Sequence, residues 1–250
     1  MRGFPQTLFP FTGAHGSNRA RPAWRLALIL LAPMLVGCAI AEPVNLGDVK
    51  QQVSAYHENG YQQDLQAVGA AAQDWITWRA PQVTKPALVL DIDETSLSNW
   101  PQIKANDFGY FTGGPCRQLP DGPCGVYAWD RTAKAKAIGP TLELFKVARS
   151  TGVSVFFVTG RYEFERAATV ENLRKAGYVD KDGRNGWAAL IMRPAGTSTP
   201  SAANFKAPER AKIEMRGYTI IANVGDQPSD LGGGHAERGF LLPDPFYRVP

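Results

Sequence analysis

Short apolar runs alternate with amphipathic segments along most of the chain. The runs are typical of short, buried strands. They lie at residues 87–90, 153–158, 187–192, 218–224 and 239–242. Apolar positions at helical spacing predict three helices between them, at residues 140–150, 163–176 and 208–216, two of which begin with a proline. Strands that alternate with helices predict an α/β, Rossmann-like fold, with a parallel sheet and helices on both faces.

Two segments depart from this alternation. Residues 44–80 carry apolar residues at helical spacing with a break at Gly60, which predicts two helices ahead of the sheet. Residues 106–130 are rich in glycine, proline and aromatic residues, which indicates an insertion rather than a regular β/α unit. We therefore expect a small cap insertion after the first strand, over about residues 98–138.

The amino-terminal segment has the pattern of an export signal. Three arginines (Arg19, Arg21, Arg25) precede an apolar run at residues 26–36 that is too short to span a bilayer. The run ends in Leu35-Val36-Gly37-Cys38, which resembles the lipobox of bacterial lipoproteins. We predict a signal peptide at residues 1–37, a lipid anchor at Cys38 and a single domain at residues 38–250. An ordinary signal peptide with an incidental cysteine is the alternative.

The position of Cys38 also affects the predicted location and the charge. Ala39 after the cysteine favours the outer membrane of a bacterium, with the domain facing the periplasm or the surface. Cleavage before Cys38 removes 37 of the 250 residues, including four arginines and no acidic residue. The 213 residues that remain carry 23 basic and 23 acidic side chains, so the formal charge of +4 belongs to the signal. We therefore expect no nucleic-acid partner.

Two cysteines remain in the exported part. Cys116 and Cys124 flank a segment rich in proline and glycine within the predicted insertion. An even pair in an exported protein favours a disulfide bond, and two free thiols are the alternative.

Acidic residues follow the first predicted strand. Asp91 and Asp93 come directly after the run at residues 87–90, with Thr95 two positions further on. In open α/β sheets, ligands bind at the carboxyl ends of the strands. Neighbouring carboxylates repel each other unless a cation or a shared proton relieves them, and a magnesium ion with a phosphate would do so. The pentapeptide therefore predicts a metal-assisted phosphate site.

Three further polar groups lie at the ends of predicted elements. Thr159-Gly160-Arg161 follows the second strand, Lys206 precedes the helix at residue 208, and Gly225-Asp226 with Asp230 follows the strand at 218–224. Each of these groups alone is a weak indication of a functional site, because an aspartate after a strand is commonly a helix cap and Thr-Gly is common in turns. Together, in this order, they indicate one site.

These motifs resemble those of the haloacid dehalogenase-like superfamily, in particular its acid phosphatases of class B/C type (subfamily IIIB). That branch includes plant vegetative storage proteins and bacterial lipoprotein acid phosphatases. The resemblance runs from about residue 48 to the carboxyl terminus. It rests on Asp91-Ile92-Asp93-Glu94-Thr95, Phe157-Val158-Thr159-Gly160-Arg161, Phe205-Lys206, Gly225-Asp226-Gln227-Pro228-Ser229-Asp230-Leu231 and Leu242-Pro243-Asp244-Pro245-Phe246-Tyr247.

The resemblance implies a nucleophile, a general acid and a metal. Asp91 would attack phosphorus to give an aspartyl-phosphate, and the Asp93 side chain would protonate the leaving oxygen and then activate water. Mg²⁺ would be held by Asp91, the backbone carbonyl of Asp93, Asp226 and Asp230, the last directly or through water.

The resemblance also implies the groups that hold the phosphate. Thr95, Thr159, the backbone N–H of Gly160 and Lys206 would bind the phosphoryl oxygens. Arg161 either assists them or is structural. Arg210 and Lys212 are rivals to Lys206, which we prefer because we expect it at a helix start, where N–H groups favour anions.

The predicted function is a Mg²⁺-dependent acid phosphatase that hydrolyses small phosphate monoesters, nucleoside monophosphates among the candidates. Asp93 favours phosphoryl transfer over dehalogenation, because dehalogenases of this superfamily lack the second acid. The alternatives are a phosphotransferase that uses the same intermediate and a non-catalytic, ligand-binding surface lipoprotein.

The predicted insertion carries many aromatic residues. They could stack on a nucleobase or an aryl ester, as could Tyr247 near the carboxyl terminus, or they could form the core of the cap itself. The residues of the insertion are Trp100, Phe108, Tyr110, Phe111, Tyr127 and Trp129.

Overall fold

The computed structural model describes residues 42–196 and 201–249. The described residues from Val44 onward belong to one compact unit. The predicted signal peptide and Cys38 lie outside the described residues. Among the helices of the described ranges, none combines the length and the hydropathy that a membrane span requires.

Within residues 42–196 and 201–249, seven strands form two sheets. They are β1 (Pro86–Leu90), β2 (Leu97–Ser98), β3 (Lys136–Ala137), β4 (Ser154–Tyr162), β5 (Ala189–Arg193), β6 (Thr219–Gly225) and β7 (Gly239–Leu241). The main sheet has the order β5-β4-β1-β6-β7, and all its neighbouring strands are parallel. The chain moves outward from β1 first to one side and then to the other, so the carboxyl end of β1 is a topological switch point, where ligands bind in such sheets.

Eight α-helices accompany the strands in the described ranges. They are α1 (Leu46–Asn59), α2 (Tyr61–Arg79), α3 (Trp100–Ala105), α4 (Val126–Thr132), α5 (Gly139–Ser150), α6 (Arg166–Lys175), α7 (Ala202–Met215) and α8 (Pro228–Leu231). The first two are the pair of helices predicted ahead of the sheet, and they meet at Gly60.

Helices cover both faces of the main sheet. Leu88 and Leu90 of β1 point to the face covered by α2, α5 and α6 and join the larger hydrophobic core. Ala87 and Val89 point to the opposite face, where Ile213 of α7 packs. Because side chains alternate along a strand, β1 is buried on both sides. The predicted α/β fold with a parallel sheet is confirmed.

The start of α7 differs from the prediction. The helix begins at Ala202, and the Ser201 hydroxyl accepts a hydrogen bond from the backbone N–H of Asn204 at 3.3 Å. Pro208 therefore lies inside the helix rather than at its first turn, and Lys206 lies in the second turn. The prediction was wrong because it took the proline as the start signal, whereas the capping serine lies seven residues earlier.

The end of β4 also differs from the prediction. The strand continues to Tyr162, so Thr159-Gly160-Arg161 lies within it rather than after it. Val158 pairs with Ile191 and Tyr162 pairs with Arg193, so the pairing with β5 is irregular between them. The three residues therefore belong to a bulged stretch at the carboxyl end of the sheet.

The segment between β1 and α5 carries α3 and α4. Its ends are joined by the antiparallel pairing of β2 with β3. A disulfide bond between Cys116 and Cys124 closes the loop between the two helices, as predicted. Asn106 also binds the backbone of Cys124, with its amide oxygen accepting from the N–H at 2.6 Å and its amide nitrogen donating to the carbonyl at 2.8 Å.

Candidate active site

Three aspartates meet at the carboxyl end of the main sheet. Asp91 follows β1, Asp226 follows β6, and Asp230 lies in α8. All three are buried, and each offers one oxygen to a group of atoms that lie within 4.8 Å of one another. Gly225 makes this approach possible, because a β-carbon at that position would overlap the side chain of Asp230.

Lys206 reaches two of these aspartates. Its Nζ donates to Oδ1 of Asp91 and to Oδ1 of Asp230, both at 2.6 Å, and its side chain is only 5% exposed. Burial lowers the pKa of Lys206, but the carboxylates of Asp91 and Asp230 outweigh burial and raise it, so the ammonium group stays charged.

The two rival cations have other partners. Arg210, one turn further along α7, donates to the backbone carbonyls of Asp230, Gly232 and Gly234. It thereby holds the segment after α8 against α7. Lys212 is exposed and pairs with Glu209. Lys206 is therefore the one of these three cations that contacts Asp91.

The cluster of Asp91, Asp226, Asp230 and Lys206 has more acidic than basic side chains. Burial raises the pKa of Asp91 to about 7, with Asp230 and Asp93 acting in the same direction and Lys206 opposing them. Burial, with Asp91 and Asp230, also raises the pKa of Asp226 well above its usual range. A divalent cation among these oxygens would offset this cost. The donors are all oxygens, as a hard cation such as Mg²⁺ requires, so the residues fit such an ion.

Asp93 lies beside this group in a different environment. Its side chain is 30% exposed, and its Oδ1 accepts from Asn99 Nδ2 at 2.8 Å and from Arg161 Nη2 at 2.7 Å. Burial favours the neutral form, but Arg161 outweighs burial and lowers the pKa of Asp93. In the metal-free protein the two acids of the motif therefore have pKa values shifted in opposite directions.

The other predicted phosphate-binding residues lie at the same edge of the sheet as Asp91. The Thr95 hydroxyl donates to Oδ1 of Asp226 at 2.9 Å. Thr159 is fully buried, and its hydroxyl accepts from the backbone N–H of Arg161 at 3.1 Å. Apart from Gly160 itself and its two chain neighbours, none of the described residues places a heavy atom within 4 Å of the position that a β-carbon of Gly160 would take, so this side of Gly160 faces open space.

Glu94 is a site residue that our sequence reasoning quoted in the motif but gave no role. Its φ angle of 47° turns the chain after Asp93. Its Oε1 accepts from the backbone N–H of Asn99 at 2.6 Å, and its Oε2 accepts from the Tyr247 hydroxyl at 3.2 Å. Burial, reinforced by Asp93, raises the pKa of Glu94 to about 8.

The carboxyl-terminal segment supports Asp226. The side-chain amide of Gln227 donates to Oδ2 of Asp226 at 2.7 Å and to Oδ2 of Asp244 at 2.6 Å. Burial raises the pKa of Asp244. Sequence reasoning missed both roles, although both residues stand in the motifs that carry the resemblance.

Asp130 was also missed. It lies in α4 of the insertion, and its Oδ1 is 3.0 Å from Nη2 of Arg161. In the sequence, Asp130 is an isolated acidic residue after Trp129. Nothing distinguishes it from an ordinary residue of a helix. The contact between Asp130 and Arg161 could not be predicted from sequence spacing.

The aromatic residues of the insertion divide into two groups. Trp129 is buried, and Trp100 and Phe108 pack against the larger hydrophobic core. Trp100 also stacks on His57 of α1, with ring centroids 3.8 Å apart. Tyr110 and Phe111 are exposed. The first group therefore has a packing role, and the second is available to a ligand.

The chain is similar to curated plant proteins. It is 36% identical over 168 residues to the stem 28 kDa glycoprotein of Glycine max (66% of this chain, 61% of the relative). It is 33% identical over 162 residues to acid phosphatase 1 of Solanum lycopersicum (64% of this chain, 58% of the relative). The chain thus spans about three fifths of the length of these curated relatives.

A solved structure and a family profile match over longer ranges. The fold is similar to the class C acid phosphatase from Bacillus anthracis, with a TM-score of 0.61 and 19% identity, over 82% of this chain and 87% of that one. The family described as "HAD superfamily, subfamily IIIB (Acid phosphatase)" matches residues 41–250. The chain therefore belongs to subfamily IIIB, the acid phosphatases, of the HAD superfamily.

Proposed function

We propose that this protein is a Mg²⁺-dependent acid phosphatase that hydrolyses small phosphate monoesters through an aspartyl-phosphate on Asp91. One observation carries the proposal. An oxygen of Asp91 lies at a topological switch point, hydrogen-bonded to the charged Lys206 and grouped with Asp226 and Asp230, while a second, partly exposed acid, Asp93, lies two residues further on.

The first step transfers the phosphoryl group to the protein. A carboxylate oxygen of Asp91 forms a bond to phosphorus while the bond between phosphorus and the ester oxygen breaks. A phosphate anion beside Asp93 opposes the effect of Arg161 and favours the protonated carboxyl group, which gives its proton to the departing oxygen, so the alcohol leaves neutral. The partial exposure of the Asp93 side chain suits this role, since the leaving group must reach it from solvent.

The second step returns Asp91 to its starting form. Asp93, now a carboxylate, takes a proton from a water molecule as the water oxygen bonds to phosphorus. The bond between phosphorus and Asp91 breaks, and inorganic phosphate leaves. Each residue ends the cycle in the protonation state in which it began it.

The charge on the phosphoryl oxygens needs compensation in both steps. Lys206 supplies a positive charge at 2.6 Å from Asp91, and the backbone N–H of Gly160 would donate to a phosphoryl oxygen. Mg²⁺ held by Asp91, the backbone carbonyl of Asp93, Asp226 and Asp230 would supply further positive charge and screen the repulsion between nucleophile and phosphate.

The decisive experiment measures turnover of p-nitrophenyl phosphate, nucleoside monophosphates and sugar phosphates with Mg²⁺. We expect wild-type protein to be active, EDTA to abolish turnover and added Mg²⁺ to restore it. Asp91→Asn should reduce the rate to background while its circular dichroism spectrum stays unchanged. The exposed Asp48→Asn, in α1, is the matched control and should keep full activity.

Two results would contradict this proposal. Activity that survives chelation would remove the metal from the scheme, and wild-type protein that binds phosphate without turnover would favour a non-catalytic binding protein. Product analysis with added alcohols separates the remaining alternative, because a phosphotransferase would form a new phosphate ester where a hydrolase releases inorganic phosphate.

We also propose that the protein is an exported lipoprotein anchored in the bacterial outer membrane through Cys38. The pattern of residues 19–38 and the disulfide bond of the insertion support export. Expression of the full chain in a Gram-negative host, followed by fractionation and mass spectrometry, tests this. We expect a membrane-bound, acylated form that Cys38→Ala lacks. An unmodified form free of membranes would contradict the anchor.

A further inference from the structure

A buried ion network joins the insertion to the general acid. The guanidinium group of Arg161 lies between Asp130 of α4 and Asp93, and the side chains of Arg161 and Asp130 are each only 3% exposed. One nitrogen, Nη2, is 3.0 Å from Oδ1 of Asp130 and 2.7 Å from Oδ1 of Asp93. The insertion and the catalytic acid therefore share one cation.

The orientation of Arg161 is fixed from several sides. Its Nε donates to Oδ1 of Asp93 at 3.0 Å, and its Nη1 donates to the Thr169 hydroxyl at 3.4 Å. A second buried carboxyl, Glu165, also acts on the guanidinium electrostatically. Asp130 approaches Nη2, the nitrogen that also donates to Asp93, so the carboxyl group of the insertion and that of Asp93 act on the same end of the planar guanidinium.

We propose that Asp130 is a positioning residue for the phosphatase reaction. By anchoring Arg161, it holds the Asp93 carboxyl group where it can deliver a proton to the leaving oxygen. This inference rests on the proposed function. It implies that the general acid is aligned only when α4 is seated on the end of β4, so the insertion contributes to proton transfer without touching the phosphate.

The inference predicts a loss that depends on the substrate. A leaving group of low pKa, such as p-nitrophenolate, departs with little need for a proton, whereas an alkoxide needs one. A variant that misplaces Asp93 should therefore lose most of its activity on alkyl phosphates and little on p-nitrophenyl phosphate. A variant that merely loosens the fold should lose activity on both to a similar extent.

The experiment compares kcat/KM for p-nitrophenyl phosphate, phenyl phosphate and an alkyl phosphate. For Asp130→Ala we expect a fall of about 100-fold or more on the alkyl ester and of less than about tenfold on p-nitrophenyl phosphate. Asp130→Asn keeps the volume and one acceptor, so it should fold if the alanine variant does not, with a smaller loss of the same pattern. Urea unfolding curves of each variant record its stability.

Asn172→Ala is the matched control. Asn172 of α6 also ties the insertion to the rest of the domain through buried hydrogen bonds, at 2.6 Å to the carbonyl and 3.1 Å from the N–H of Ala135. It contacts neither Arg161 nor Asp93 in these bonds. We expect this variant to lose stability while keeping the wild-type dependence on the leaving group.

A double variant tests whether Asp130 acts through Arg161. If it does, Asp130→Ala combined with Arg161→Ala should be no worse on the alkyl ester than Arg161→Ala alone. An unchanged leaving-group dependence in Asp130→Ala, the same change in Asn172→Ala, or additive effects in the double variant would each overturn the inference. These outcomes leave wild-type activity intact, whereas an inactive wild type would overturn the proposed function as well.

Discussion

The charge balance around Asp91 depends on a single lysine. Three buried aspartates share the site, and the ammonium group of Lys206 contacts two of them. Removing one partner of a buried ion pair is costly because the remaining charge keeps its desolvation penalty. Lys206 is therefore expected to matter for stability as well as for phosphate binding.

Lys206→Met should destabilise the metal-free protein by about 3–5 kcal/mol at pH 8. Mg²⁺ should recover part of this loss, because a divalent cation neutralises the same carboxylates. Urea unfolding in EDTA and in Mg²⁺ measures both effects. Lys212→Met, on the exposed face of the same helix, is the control and should change the free energy of unfolding by less than about 0.5 kcal/mol. Equal unfolding midpoints for wild type and Lys206→Met would contradict the prediction.

Among the elements, the insertion depends on a covalent link as well as on packing. The disulfide bond between Cys116 and Cys124 has a sequence separation of 8 and lies just before α4. A closed loop of this length reduces the entropy of the unfolded chain and stabilises the fold by about 2–3 kcal/mol.

The double variant Cys116→Ser/Cys124→Ser should therefore unfold at lower urea concentration, with a loss of about 2–3 kcal/mol. Wild-type protein in a reductant should show the same loss, whereas the reductant should leave the double variant unchanged. If the reductant shifted both proteins equally, the effect would come from something other than this bond.

The sequence predicted the elements better than it predicted their ends. The five strands of the main sheet were predicted because each is a short apolar run, and a buried parallel sheet requires such runs; β2 and β3 were not predicted. The start of α7 was missed because Pro208 is a strong local signal and the capping Ser201 is a weak one. The extension of β4 was missed because a bulge has no periodicity that a pattern can reveal.

Local sequence patterns were limited in the same way for the candidate site. The structure brings the predicted residues Asp91, Lys206 and Asp226 together, and the sequence could single them out because they belong to ordered motifs near the ends of elements. Asp130 and Asp244 were not given a role, because their positions depend on how the insertion and the carboxyl-terminal segment fold back on the sheet. Such long-range packing leaves little trace in local sequence.

For the whole molecule, pH and metal binding are linked through Asp91. Its pKa is raised in the folded state, from an ordinary value of 3.8 to about 7. A carboxyl with a raised folded pKa favours folding when protonated, so this contribution is present at low pH and is lost as pH rises through about 7 in the metal-free protein. Under the proposed function, Mg²⁺ at Asp91 would compete with that proton.

The stabilisation by Mg²⁺ should therefore grow with pH. We expect the Tm difference between saturating Mg²⁺ and EDTA to be small at pH 5 and to increase up to pH 8, since ligands that bind only the folded state raise its stability. Differential scanning calorimetry at several pH values measures it. In Asp91→Asn the increase should be much weaker, and a Tm difference that is independent of pH in wild type would contradict the linkage.

The bulge at the end of β4 restricts the insertions and deletions that the site can tolerate. The residues on either side of Thr159-Gly160-Arg161, Val158 and Tyr162, both pair with β5. The three residues therefore form a bulge between two fixed pairing positions. Its length alone then sets how far Arg161 and the backbone of Gly160 reach over the sheet. Adding or deleting one residue there would swing both groups away together, although every strand and helix of the domain could still form.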